Sequence, residues 1–106
     1  MSSAVLQNLE KMIGTPRDGA LLRYSIGNEY LKQGDAESAA RHFADAVSKD
    51  PKYSAGWKQL GRALSEAGRA DEALAAWRQG IEVAEARGDR QAAKEMTVFA
   101  RRLEKR

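Results

Sequence analysis

Along most of the chain apolar residues return every three or four positions, the spacing of one face of an α-helix, and each run stops at a glycine or a proline. Val5, Leu6, Leu9, Met12 and Ile13 form the first run and predict a short amphipathic helix over residues 3–13, ended by Gly14. Thr15-Pro16-Arg17-Asp18 reads as a fresh start, with Thr15 as N-cap and Pro16 in the first helical position, so that the next helix begins there or after Gly19. Leu21, Leu22, Tyr24, Ile26, Tyr30 and Leu31 predict that helix to run to Gln33, where Gly34 closes it in a left-handed conformation. Asp35 caps a helix whose inward positions are Ala36, Ala39, Ala40, Phe43, Ala46 and Val47. Turns this short force the two helices to lie antiparallel.

The same sequence of events then recurs. Asp50-Pro51 reads as cap and first residue of a further helix, because proline lacks only an amide that would be unpaired there. Its buried stripe is Trp57, Leu60, Ala63 and Leu64, and Gly68 repeats the stop of Gly34. Asp71 and Glu72 lie in the first turn of the next helix, where negative charge suits the helix dipole, and Ala73, Trp77, Ile81 and Ala84 continue it. Gly88-Asp89 opens a last helix over residues 89–105. Ala92, Met96, Phe99 and Leu103 share its apolar side, while Arg90, Lys94, Glu95, Arg101, Arg102 and Glu104 make the other side charged. One apolar and one polar side is what the end of a stacked array requires.

Ile26, Gly27, Tyr30, Gly34, Ala39, Phe43, Ala46 and Pro51 are matched thirty-four residues on by Leu60, Gly61, Leu64, Gly68, Ala73, Trp77, Gly80 and Glu85. That period, with large, glycine, aromatic and alanine positions in this order, resembles the tetratricopeptide (TPR) repeat. The resemblance covers Ala20 to about Arg87, and Trp57, Leu60 and Gly61 reproduce the W-x-x-L-G core of the family. Arg23 stands where the first copy should carry tryptophan, Gly80 where alanine is expected and Glu85 where proline is expected. The whole chain resembles small two-repeat bacterial TPR proteins with a capping helix. The implied fold is all-α and of six helices: a TPR-like array of two hairpins, over residues 20–53 and 54–87, flanked by a short N-terminal helix and a C-terminal cap within a single domain.

The resemblance implies a binding module whose concave surface is made by the first helices of the hairpins. Side chains at the fifth, ninth and twelfth places of each copy would face it: Tyr24, Asn28 and Leu31, then Lys58, Arg62 and Ser65, flanked by Leu21 and Ala55. TPR domains of the carboxylate-clamp type hold an acidic peptide C-terminus with an asparagine on one such helix and a lysine and an arginine, four apart, on the next. Asn28, Lys58 and Arg62 occupy the corresponding places, and the spacing of four puts the two cations on one helix face. The clamp's other lysine and asparagine belong to a preceding copy that this sequence lacks.

Composition narrows the rivals. Of 106 residues 42% are hydrophobic and 31% charged, enough apolar surface for a stacked-helix core in a chain of negative mean hydropathy. There is no cysteine, which removes disulfides and thiolate metal sites. No signal-like or membrane-spanning apolar run occurs, so the expectation is a cytoplasmic protein without membrane attachment. The net charge of +3 is concentrated in Arg101, Arg102, Lys105 and Arg106, which favours a solvated helix end over a nucleic-acid face. A nucleic-acid adaptor acting through that tail is the alternative, as is end-to-end self-association of an otherwise monomeric protein. His42, the one histidine, reads as a solvated surface residue. Glu29 with Glu37, or Asp71 with Glu72, are ordinary helix-surface carboxylates, and neither a nucleophile nor a phosphate loop accompanies them. The expectation is therefore a non-enzymatic module that needs no metal or cofactor and binds a protein or peptide segment.

Overall fold

The computed structural model describes residues 3–105. Among them are six helices, α1 (Ala4–Glu10), α2 (Ala20–Lys32), α3 (Ala36–Lys49), α4 (Ser54–Glu66), α5 (Ala70–Ala86) and α6 (Arg90–Glu104), and no strand. α2 packs on α3 and α4 on α5 as antiparallel hairpins; α3 carries the chain to α4, and α6 lies against α5 in the place that a further first helix would take. The whole is an all-α, TPR-like array measuring 39 × 29 × 18 Å.

The turns are built by the residues that announced them. Gly34, Gly68 and Gly88 take φ values of +81°, +80° and +76°. Behind each, the next amide reaches back across the helix end: Asp35 to the Tyr30 carbonyl, Arg69 to that of Leu64 and Asp89 to that of Ala84, at 3.0, 2.9 and 2.8 Å. These bonds satisfy carbonyls that the helix leaves open. The Asp35 and Asp89 carboxylates then cap α3 and α6 by accepting from the Ser38 and Ala92 amides.

Two proline signals turn out differently. Pro51 is not the first residue of α4, which begins at Ser54 after a turn. The Asp50 side chain accepts from the Lys52 amide, the Pro51 carbonyl accepts from Trp57 Nε1 at 2.8 Å, and the Lys52 carbonyl accepts from the Arg87 guanidinium. Those carbonyls are spent on distant side chains. Pro16 likewise lies in a turn, and α2 starts only at Ala20. Here Asp18 accepts from the Gly14 amide and from Arg23, which bends the chain before the helix can form. α1 ends at Glu10, so residues 11–13 of the predicted first helix are turn.

The core is one seam repeated. Gly27 faces the ring of Phe43 so closely that a Cβ there would come within 2.6 Å of it, and Gly61 meets the Trp77 indole in the same way. Trp77 also donates Nε1–H to the Lys58 carbonyl at 3.0 Å. Ala39 and Ala73, both fully buried, are the small partners on the second helices. Gly80 has its own reason to be small: a Cβ there would strike Met96 Sδ of α6 and the Trp57 Cβ. A separate cluster of Leu6, Leu22 and Ile26 holds α1 on α2. Burying Leu6 completely contributes about 1.5–3 kcal/mol, enough to dock a seven-residue helix that Ser3 caps.

Candidate functional site

α2, α4 and α6 stand side by side on one face of the array and form a trough with two adjoining hollows. The first, of about 570 Å³, lies between α1, α2 and α4 and is lined in part by Val5, Leu9, Asn28, Leu31 and Arg62. The second, of about 400 Å³, lies between α4 and α6, with Lys58, Arg62 and Ser65 on one wall, Glu95 on the other and the Trp77 and Phe99 rings in its floor. Gln59 and Arg62 line both and mark the ridge between them. Helical spacing explains the arrangement: residues 58, 62 and 65 follow one face of α4, while Leu60, Ala63 and Leu64 turn into the core.

The six side chains anticipated for a groove are not equivalent. Asn28, Leu31, Lys58, Arg62 and Ser65 come together in the trough. Tyr24 lines neither hollow; its half-buried ring packs against Phe43 and Tyr53, with centroids 5.8 and 5.0 Å away. The polar members are already partnered. Asn28 Oδ1 accepts from Gln59 Nε2 at 2.8 Å, and Lys58 Nζ pairs with the Glu95 carboxylate at 3.3 Å. Arg62 is exposed and has no ion-pair partner among the described residues.

Several lining residues escaped the sequence reading. Val5 and Leu9 enter because α1 folds along the mouth of the trough, and Glu95 and Phe99 because α6 takes a groove-forming place as well as capping the core. The available signal for the latter was the glycine-aspartate pair at 88–89, which matches the one at 34–35. Nothing local marked Val5, whose side chain is 55% exposed.

Charged and polar groups outside the trough serve the frame. Arg23, in the place where the second hairpin has Trp57, donates to Asp18 at 2.9 and 3.1 Å and to Asp45 at 2.7 Å. The Arg23 guanidinium, with the Gly14 amide, holds the Asp18 carboxyl far below the usual carboxylate range. The Tyr30 hydroxyl donates to the Glu10 carboxylate at 2.9 Å, which ties α1 to α2 and pushes the phenol pKa up. His42 is not solvated on the surface: its ring stacks on Tyr30 with centroids 5.4 Å apart, and its buried Nδ1 has no hydrogen-bond partner. Burial first, and the Arg23 charge after it, push its pKa down. Among the described residues no cluster of three or more acidic or imidazole side chains could hold a metal ion, and no helix is long and apolar enough to cross a membrane.

The tetratricopeptide repeat family profile matches residues 30–96. A TPR repeat-containing protein of Pseudomonas aeruginosa is 52% identical over 101 residues, which is 95% of this chain and 96% of that protein. Among solved structures, a protein from Bordetella parapertussis superposes with a TM-score of 0.82 at 38% identity, covering 97% of this chain and 90% of its own. A tetratricopeptide repeat domain protein from Salinibacter ruber follows at 0.75 and 31%, covering 84% and 89%.

Proposed function

Because the chain belongs to the tetratricopeptide repeat family, whose members bind protein or peptide partners, we propose that it is a non-catalytic cytoplasmic module that receives an extended peptide segment in the trough along α2, α4 and α6. The observation that carries this reading is the continuity of the two hollows across Gln59 and the unpaired guanidinium of Arg62 on the ridge. A segment lying along the trough meets an apolar floor at Leu31 and at Trp77 and Phe99, with a free cation between. A carboxylate fits that point, since guanidinium binds it through two parallel N–H···O bonds.

Lys58, one turn from Arg62, adds a second cation once it releases Glu95. A partly exposed ion pair of this kind is worth about 0–1 kcal/mol, so an incoming carboxylate displaces it at small cost. The segment therefore places one carboxylate, from a side chain or its own C-terminus, at Arg62 with an apolar residue beside it, since Glu29, Glu66 and Glu95 also line the hollows and disfavour a longer acidic run.

Titration of an acidic peptide with a free C-terminus, compared with its amidated form, tests the reading. The double variant Lys58→Ala/Arg62→Ala should bind at least about tenfold more weakly, a loss of about 1.4 kcal/mol, with the helical circular dichroism unchanged. Equal affinity in the two proteins removes the carboxylate.

A further inference from the structure

α6 has a second side that faces away from the trough. A groove of about 550 Å³ runs between it and the end of α5, floored by Ala93, Thr97 and Val98 and sharing no residue with either hollow of the trough. Val98 is 44% exposed there. Arg90, Lys94 one turn on and Arg101 two turns beyond that line the rim, and none has an ion-pair partner among the described residues. The single carboxylate in the lining is Glu85.

The position of this groove in the repeat says what shape it accepts. Gly27 comes seven residues after Ala20 in α2, Gly61 seven after Ser54 in α4, and Thr97 seven after Arg90 in α6. At the first two places the following helix of the hairpin lays an aromatic ring against the glycine. At Thr97 no helix among the described residues fills the equivalent seat. A helix is the element whose ridge matches such a seat, and a stacked array buries its end on one more element wherever a partner offers it.

We propose that the open seat on α6 docks an amphipathic helix of a partner protein, with small or aliphatic residues toward Thr97 and Val98 and carboxylates toward Arg90, Lys94 and Arg101. Chemistry selects among occupants. An excess of two unpaired cations around an apolar floor complements an acidic helix and repels a basic one. A nucleic acid would meet the same cations but no aromatic platform, and its phosphates would lie over Val98. Thr97 carries the Cβ that Gly27 and Gly61 lack, and since a Cβ at either glycine would come within 3 Å of its ring, an aromatic anchor as close as Phe43 or Trp77 does not suit this seat. The docked helix must stand further off, with alanine, valine or leucine at the contact.

The probe is a synthetic amphipathic helical peptide of leucine and alanine on one face and glutamate on the other, with a second peptide in which lysine replaces every glutamate. Backbone amide shifts in the full chain should move at Ala93, Thr97 and Val98 with the acidic peptide and stay in place with the basic one. Val98→Glu and Lys94→Glu, both at exposed positions, should each weaken the acidic peptide by about tenfold, while Arg62→Ala in the trough leaves it unchanged. Raised salt should weaken it further, through the exposed cations. The proposal is overturned if the shifts fall on Asn28, Lys58 or Arg62 instead, if both peptides bind alike, or if neither binds. It is equally overturned if light scattering shows that Val98→Glu abolishes a dimer, which would make a second copy the occupant, or if duplex DNA or RNA oligonucleotides bind the groove and displace the acidic peptide.

Discussion

The two hairpins share a seam and differ in what braces it. In both, a glycine on the first helix receives an aromatic ring from the second, Gly27 with Phe43 and Gly61 with Trp77. Four residues before that glycine they part. The second hairpin has Trp57, which packs over Gly80, and donates Nε1–H to the Pro51 carbonyl. The first has Arg23, which clamps Asp18 before α2 and Asp45 on α3. The difference follows position in the array. Trp57 packs against the main core beside Gly80, while Arg23, its side chain only 15% exposed, has its charge met by the Asp18 and Asp45 carboxylates next to the separate small core that α1 supplies. The repeat thus keeps its closest contacts and varies its braces.

The largest test of this contrast removes a seam ring. Trp77→Ala should cost about 3–5 kcal/mol in chemical denaturation, more than any change to a brace, because the indole fills the space above Gly61 and part of the trough floor. A smaller loss than that of Arg23→Ala would reverse the ranking of seam and brace. Next, Ala39→Leu and Ala73→Leu should each cost about 1–3 kcal/mol by overpacking, and by similar amounts, since both sites are fully buried at equivalent places. Strongly unequal losses would show that the seams are not equivalent.

The smallest effect separates the braces by pH. Asp18 has its pKa lowered in the folded protein, chiefly by the hydrogen bond from Arg23 and then by that from the Gly14 amide. Its contribution to stability is complete above the unfolded value of about 4 and is lost as the pH falls below it, because the unfolded chain then takes up a proton that the folded one refuses. Melts at pH 5 and pH 3 should therefore show a shallower loss in Arg23→Ala than in the parent protein. Trp57 and Trp77 fluorescence, which reports the second hairpin alone, supplies the control; identical acid dependence in both proteins would remove the charged brace.

Much of the frame was legible because it is local. Gly34, Gly68 and Gly88 had to accept a left-handed turn, Asp35 and Asp89 had to cap, and Gly27, Gly61, Ala39 and Ala73 had to leave room for large neighbours. The two proline starts misled because the same Asp-Pro or Thr-Pro pair suits a turn as well as a helix N-terminus, and only the partners Trp57, Arg87 and Arg23 choose between them. His42 misled for a related reason: its exposure is decided by the Tyr30 ring from another helix. In the trough, spacing put Lys58 and Arg62 on one helix face, and the resemblance to the TPR family turned that face, with Ser65, toward a groove. The pairings that set its charge followed from neither, for they join residues far apart in sequence, Lys58 with Glu95 and Asn28 with Gln59.

The sequence by itself determined where the helices close, which faces they bury and that two hairpins repeat, since backbone sterics, capping and side-chain periodicity act over a few residues. Only the tertiary structure decided that α1 would fold along the trough, that α6 would neutralise Lys58 while leaving Arg62 free, and that a seat beside Thr97 would stay open. Those outcomes depend on the angles at which whole helices stack, and such angles arise from the sum of many side-chain contacts rather than from any one stretch of chain.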